Sequence, residues 1–125
     1  SLLAHTRFLC GDDFYIWSGN DDQVVPMMAL GAKGVISVAS NIVPEVMAEM
    51  THLCLDNDFA AASQLQIRYM DLIDALFTEV NPIPIKAAMN LLGMDAGSLR
   101  LPLCDISDKN LDTLRRAMER AGLLK

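Results

Sequence analysis

The sequence predicts an α/β protein, mostly helical by content, with a short strand–helix–strand unit followed by helices. Three observations carry this. Phe14-Tyr15-Ile16-Trp17 and Gly34-Val35-Ile36-Ser37-Val38 are short, nearly uniform in hydrophobicity and rich in β-branched or aromatic residues, as strands covered on both faces of a parallel sheet are. The stretch between them opens on Asn20-Asp21 and closes on Gly31, the punctuation of a helix. After Asn41, apolar residues recur at three- and four-residue spacing, the helical period.

Each element has its own signals. Leu2, Leu3, Phe8 and Leu9 mark the tail of an amphipathic helix over residues 1–10, broken by Gly11-Asp12-Asp13. The first strand ends at Ser18-Gly19. Asn20 and Asp21 are N-cap residues for a helix through Leu30, with Pro26 near its first turn and Gly31 as its stop. The second strand then completes a unit that crosses over with right-handed chirality. Pro44 starts a helix with Val43, Val46, Met47, Met50, Leu53 and Cys54 as its apolar positions. Leu55-Asp56-Asn57-Asp58 is a turn. Ala62, Leu65, Tyr69, Leu72 and Leu76 mark one face of a longer helix ending near Glu79. Asn81-Pro82-Ile83-Pro84-Ile85-Lys86 leads into a helix that stops around Gly93, and Leu99-Arg100-Leu101-Pro102-Leu103 is extended. Ser107 caps a last helix with Leu111, Leu114 and Met118 facing inward and Gly122 as its C′ residue.

Composition narrows the function. With 52% hydrophobic and 21% charged residues the chain has material for a core and is not of disordered type. The net charge of −6, with no basic run longer than Arg115-Arg116, argues against nucleic acid and anionic membrane as partners. No apolar run approaches the roughly 20 residues of a membrane span, and the opening residues are too short in their apolar part for a signal peptide. A cytoplasmic location is expected. Cys10, Cys54 and Cys104 are odd in number and form no CxxC pair, so they read as reduced, mostly buried thiols. His5 and His52 stand alone, and neither a metal nor a cofactor is expected. Asp12-Asp13 and Asp21-Asp22 read as turn and cap residues. Ser37, Ser40, His52 and Asp56 lack the GxSxG setting of a hydrolase. The eight methionines read as fillers of core gaps.

Composition and organisation disagree at one point. Two buried-type parallel strands need neighbours on their edges, and no third strand is evident; helices can cover faces but cannot pair edges. The expectation is therefore that this chain, which also lacks an initiator Met, is part of a larger sheet protein, the alternative being an unusual two-stranded α/β domain.

Several local sequences resemble one family. Trp17-Ser18-Gly19-Asn20-Asp21, then Leu30-Gly31-Ala32-Lys33-Gly34-Val35-Ile36-Ser37-Val38, then Ser40-Asn41-Ile42-Val43-Pro44 are similar to the last two barrel strands of dihydrodipicolinate synthases. Asn81-Pro82-Ile83-Pro84-Ile85-Lys86 and Leu99-Arg100-Leu101-Pro102-Leu103 are similar to the same enzymes' C-terminal helical region. The resemblance implies the C-terminal part of a (β/α)₈ TIM barrel: residues 1–42 as the last two β/α units, residues 43–125 as the barrel-closing helix and a helical extension. It also implies a homo-oligomeric class I aldolase that condenses pyruvate with aspartate semialdehyde, in lysine and diaminopimelate synthesis, through a lysine Schiff base. Close relatives act on N-acetylneuraminate or other 2-keto acids.

Active sites of such barrels lie at the C-terminal ends of the strands. On the resemblance, Gly19 follows strand seven where a side chain would crowd a bound keto acid, and Ile36 lies on strand eight against pyruvate. These are the two substrate-binding residues expected here, against plainer readings as a turn glycine and a core residue. Asn20 stands where the family often has Asp. The Schiff-base lysine of the family lies at the end of strand six, upstream of this sequence, so no catalytic residue is expected in it. A nucleophilic lysine needs a desolvated pocket that keeps it neutral. Lys33, Lys86, Lys109 and Lys125 read instead as solvated surface charges, and Arg100 as a structural hydrogen-bond donor. This chain alone is expected to be inactive. The rival readings are a non-catalytic helical module that assembles with copies of itself, and a small-molecule binding domain using the ends of the two strands.

Overall fold

A computed structural model describes residues 2–125 and shows a packed set of six α-helices. They are α1 (Leu2–Cys10), α2 (Val24–Ala29), α3 (Pro44–Leu55), α4 (Phe59–Leu76), α5 (Ile83–Leu91) and α6 (Asp108–Arg120). Two 3-10 turns, Asp21–Gln23 and Ala39–Asn41, precede α2 and α3. One core joins α2, α3, α4, α5 and α6, running from Val24 and Met28 through Met47, Met50, Leu72 and Leu76 to Leu114 and Met118. Met28, Met47, Met50 and Met118 lie in that core, as expected of gap-filling methionines. No helix among the described residues is long and apolar enough to cross a membrane.

The helices begin and end where the sequence marks them, within a few residues. Four of them terminate alike: the residue at C′, Gly31, Asn57, Gly93 or Gly122, has a positive φ. The amide of the next residue donates back to the carbonyl five residues earlier, as in Ala32 to Met27 at 3.0 Å and Leu123 to Met118 at 2.9 Å. This is the Schellman pattern that satisfies the last carbonyls of a helix. At Gly31 a second requirement adds to the first, because a Cβ there would meet the Arg7 guanidinium of α1 at 3.0 Å. Among the N-termini, the Asp58 carboxylate caps α4 by accepting from the Ala61 amide at 3.0 Å.

Several expectations need correction. The two strands do not form as such. Among the described residues there is one parallel bridge, Ser18 with Val35. It is held by Ser18 N–H to Gly34 O and Ile36 N–H to Ser18 O, both at 2.8 Å. The segments run parallel as predicted, but each has the other as its sole partner here, and two short strands without further neighbours sustain little ladder. They are not covered on both faces either: Trp17 is 50% and Ile36 77% exposed. Residues 99–103 are not extended throughout, since the chain turns at Leu101-Pro102 and the Leu103 amide donates to Arg100 O at 3.0 Å. The Arg100 side chain is exposed and makes none of the hydrogen bonds among the described residues. The cysteines are mostly exposed: Cys10 and Cys104 face solvent, and only Cys54 is buried. Burial pushes the Cys54 thiol pKa up.

Ser107 does not cap α6 with its own oxygen. Its hydroxyl and its amide instead donate to Glu79 Oε1, at 2.7 and 3.0 Å, and Asn110 Nδ2 donates to the same oxygen at 2.8 Å. A carboxylate from beyond the end of α4 thus closes the N-terminus of α6, where the helix dipole favours negative charge. The hydrogen bonds from Asn110 and then Ser107 hold the Glu79 pKa below its ordinary value.

Candidate functional site

The bridge brings together the two residues that the sequence singled out. Ile36 donates its amide to Ser18 O, and Gly19 follows Ser18 directly, so both stand at the C-terminal end of the paired segments. Gly19 also lines a cleft of about 450 Å³ between α1 and α2, with Leu3, Ile16, Pro26 and Met27 among its walls. Ile36 does not line that cleft.

Gly19 differs from the other glycines. Five of the seven have positive φ, and at Gly34 a Cβ would meet the Trp17 ring at 3.2 Å. At Gly19 the backbone lies outside the left-handed region, and a Cβ would meet nothing within 4 Å. Neither the turn nor the packing of this chain calls for glycine there.

Past the bridge the two segments diverge into the two 3-10 turns, and a buried polar network ties them. Asp21, 1% exposed, was expected as an N-cap of its own helix. It turns inward instead, and its Oδ2 accepts from the Val38 and Ala39 amides, both at 2.9 Å. It therefore caps the other 3-10 turn. Asp21 Oδ1 is buried with no hydrogen-bond partner among the described residues. The N-terminus of α2 is served from elsewhere: Gln66 of α4, 6% exposed, accepts from the Val25 amide through Oε1 and donates to Asp21 O through Nε2, both at 2.9 Å. Before the divergence, the Ser18 hydroxyl donates to Asn20 O at 2.8 Å and accepts from the Asn20 amide at 3.1 Å.

Sequence reasoning missed Gln66, although it left a trace. Gln66 lies one helical turn beyond Ala62 and seven residues before Ile73, inside the apolar stripe of α4. A polar residue in such a stripe needs buried partners.

None of the lysines is fully buried. Lys33 is exposed, 5.9 Å from the centroid of the Tyr15 ring and on the approach to the bridge, away from Gly19 and Ile36. Lys86 is half-buried and donates to Ser98 O at 2.7 Å. Lys109 and Lys125 are exposed. Among the described residues no three His, Cys, Asp or Glu side chains are grouped so as to hold a metal ion.

Residues 1–121 match the model of the dihydrodipicolinate synthetase family. The chain is 50% identical over 119 residues to 4-hydroxy-tetrahydrodipicolinate synthase of Clostridium novyi, covering 95% of this chain and 40% of that protein. It is 51% identical over 123 residues to the enzyme of that name from a Thermoanaerobacter species, covering 98% of this chain and 41% of that one. Among solved structures, dihydrodipicolinate synthase from Aquifex aeolicus superposes with a TM-score of 0.93 at 40% identity, over 97% of this chain and 41% of the other. The synthase of Cyanidioschyzon merolae, solved with lysine bound, superposes with a TM-score of 0.91 at 42% identity, over 98% and 41%. The chain thus spans about 40% of the length of the curated relatives it matches.

Proposed function

The chain belongs to the dihydrodipicolinate synthetase family, and from that premise we propose that it supplies part of the keto-acid site of a class I pyruvate aldolase. The reaction proposed is the one the family resemblance implies, condensation of pyruvate with aspartate semialdehyde, by a cytoplasmic lyase that forms homo-oligomers. Gly19 and Ile36 are the residues of this chain that meet the keto acid. Ile36 offers an exposed apolar side chain at the end of the paired segments, and Gly19 leaves the neighbouring backbone open. The observation that carries the reading is Gly19 itself: its own chain gives no steric or conformational reason for a missing side chain, and close approach of a ligand to the backbone is a use that glycine serves.

The Schiff base is assigned to a lysine outside this sequence. A nucleophilic amine has to be neutral, which in water near neutral pH requires desolvation or a neighbouring cation. The exposure of Lys33, Lys109 and Lys125 and the ready hydrogen bond of Lys86 to a carbonyl provide neither.

Incubation with pyruvate and borohydride, which traps an imine as a stable amine, followed by intact mass measurement, tests this. The 125-residue chain should gain no adduct, and a longer chain ending in this sequence should gain one. An adduct mapped to Lys33, Lys86, Lys109 or Lys125 would overturn the placement of the site.

A further inference from the structure

We infer that Asp21 and Gln66 are positioning residues for the keto-acid site, with Gln66 linking helix α4 to it. The inference rests on the reading of Gly19 and Ile36 as the residues that meet the substrate.

Gly19 and Ile36 sit on two segments joined by a single bridge, Ser18 with Val35, with one more hydrogen bond upstream of it, Lys33 N–H to Ile16 O at 2.7 Å. One bridge between two short segments sets little by itself, because the chain on either side can fray. A second tie lies just past the two residues, where Asp21 Oδ2 takes the amides of Val38 and Ala39. The two ties close a ring. From Ile36 N–H it passes to Ser18 O, along the backbone through Gly19 and Asn20 to Asp21, across the carboxylate to Val38 N–H, and back through Ser37 to Ile36. Gly19 and Ile36 both lie on this ring, so their separation and backbone orientation follow from its closure.

The ring is itself held from outside. Gln66 grips Asp21 O and the Val25 amide, so that the carboxylate is presented by a backbone pinned to α4. All three of Asp21, Gln66 and Val25 are buried, which makes the arrangement costly to break, because water does not readily replace a lost partner there. Neither Asp21 nor Gln66 is placed to touch substrate. They act through the backbone of Gly19 and Ile36.

Amide hydrogen exchange and shift titration, on the longer imine-forming chain that ends in this sequence, test this, with pyruvate at tens of millimolar as the probe. Asp21→Ala removes the carboxylate, Asp21→Asn keeps an oxygen that can accept both amides, and Gln66→Met removes the grip on Asp21 at similar side-chain volume. Exchange at Ile36 should speed by about tenfold or more in Asp21→Ala and Gln66→Met, the loss of one buried hydrogen bond's protection. It should return to near the unsubstituted rate in Asp21→Asn. Amides of α5 and α6 should remain protected in all three, which shows that the fold persists. Pyruvate should shift the Gly19 and Ile36 amides of the unsubstituted chain and of Asp21→Asn, and no longer do so in Asp21→Ala. Unchanged Ile36 exchange in Asp21→Ala, or a pyruvate shift that survives that substitution intact, overturns the positioning role while leaving the keto-acid reading standing. No shift at Gly19 or Ile36 in the unsubstituted chain overturns the keto-acid reading, and the inference with it.

Discussion

Gln66→Met separates a buried polar residue that fills space from one that holds two segments together. Methionine is close to glutamine in length and volume, so a packing role alone would leave stability unchanged or raise it, as apolar replacements of buried polar groups often do. The geometry predicts the opposite. Gln66 satisfies the Val25 amide and the Asp21 carbonyl, each at 2.9 Å, and those residues are 7% and 1% exposed. Water cannot readily replace the lost partners. Two backbone groups left unsatisfied cost about 2–6 kcal/mol together, and burial of a thioether in place of an amide returns about 1–3 kcal/mol. The expected net loss is about 2 kcal/mol. In urea unfolding followed by far-ultraviolet circular dichroism, that loss lowers the midpoint by about 1 M for a chain of this size. Thermal unfolding should shift down by about 8 °C. A midpoint equal to or above that of the unsubstituted chain, with an unchanged slope, would refute the claim that these two hydrogen bonds decide the role of Gln66.

Three further outcomes follow from the same structure. Glu79 has a lowered pKa in the folded chain because Asn110 and Ser107 donate to it. Its contribution is therefore fully present above the unfolded carboxylate value of about 4.3 and is lost as pH falls through the lower folded value. Fraying of α6, read as faster exchange of its first amides, should set in over that acid range, and Glu79→Gln should show the weakened end already at neutral pH. Met50, fully buried in the core, should lose about 2–5 kcal/mol on replacement by Ala. Ile67→Ala on the exposed face of α4 should change stability by less than about 0.5 kcal/mol; equal losses at the two positions would contradict the placement of the core. Maleimide labelling of the native chain should reach Cys10 and Cys104 quickly and Cys54 only on unfolding, since Cys54 is buried and its thiol pKa is raised. Labelling of Cys54 at the rate of the other two would show that α3 does not pack as described.

What the sequence determined by itself is local. The three- and four-residue spacing along α3 and α4, Pro44 at a helix start, and the stops at Gly31, Asn57, Gly93 and Gly122 depend on φ preference and hydrogen bonds within about one helical turn. Those features are where the reading of the sequence and the structure agree. Runs of matching residues also carried the family resemblance, and with it the choice of Gly19 and Ile36. The tertiary structure decided what depends on partners distant along the chain. The strand segments carry strand propensity, yet a strand exists only as far as its neighbours pair with it, and among the described residues Ser18 with Val35 is the one bridge. Asp21 and Ser107 both have N-cap chemistry, which the sequence assigns to the nearest helix. Asp21 instead turns to amides at positions 38 and 39, and Ser107 donates to Glu79. A buried polar atom goes to whichever partner the fold brings within about 3 Å, and chain proximity does not choose it. Gln66 shows the same limit: its place in an apolar stripe was legible, but its two partners lie 41 and 45 residues away, and only the packing of α4 against α2 names them.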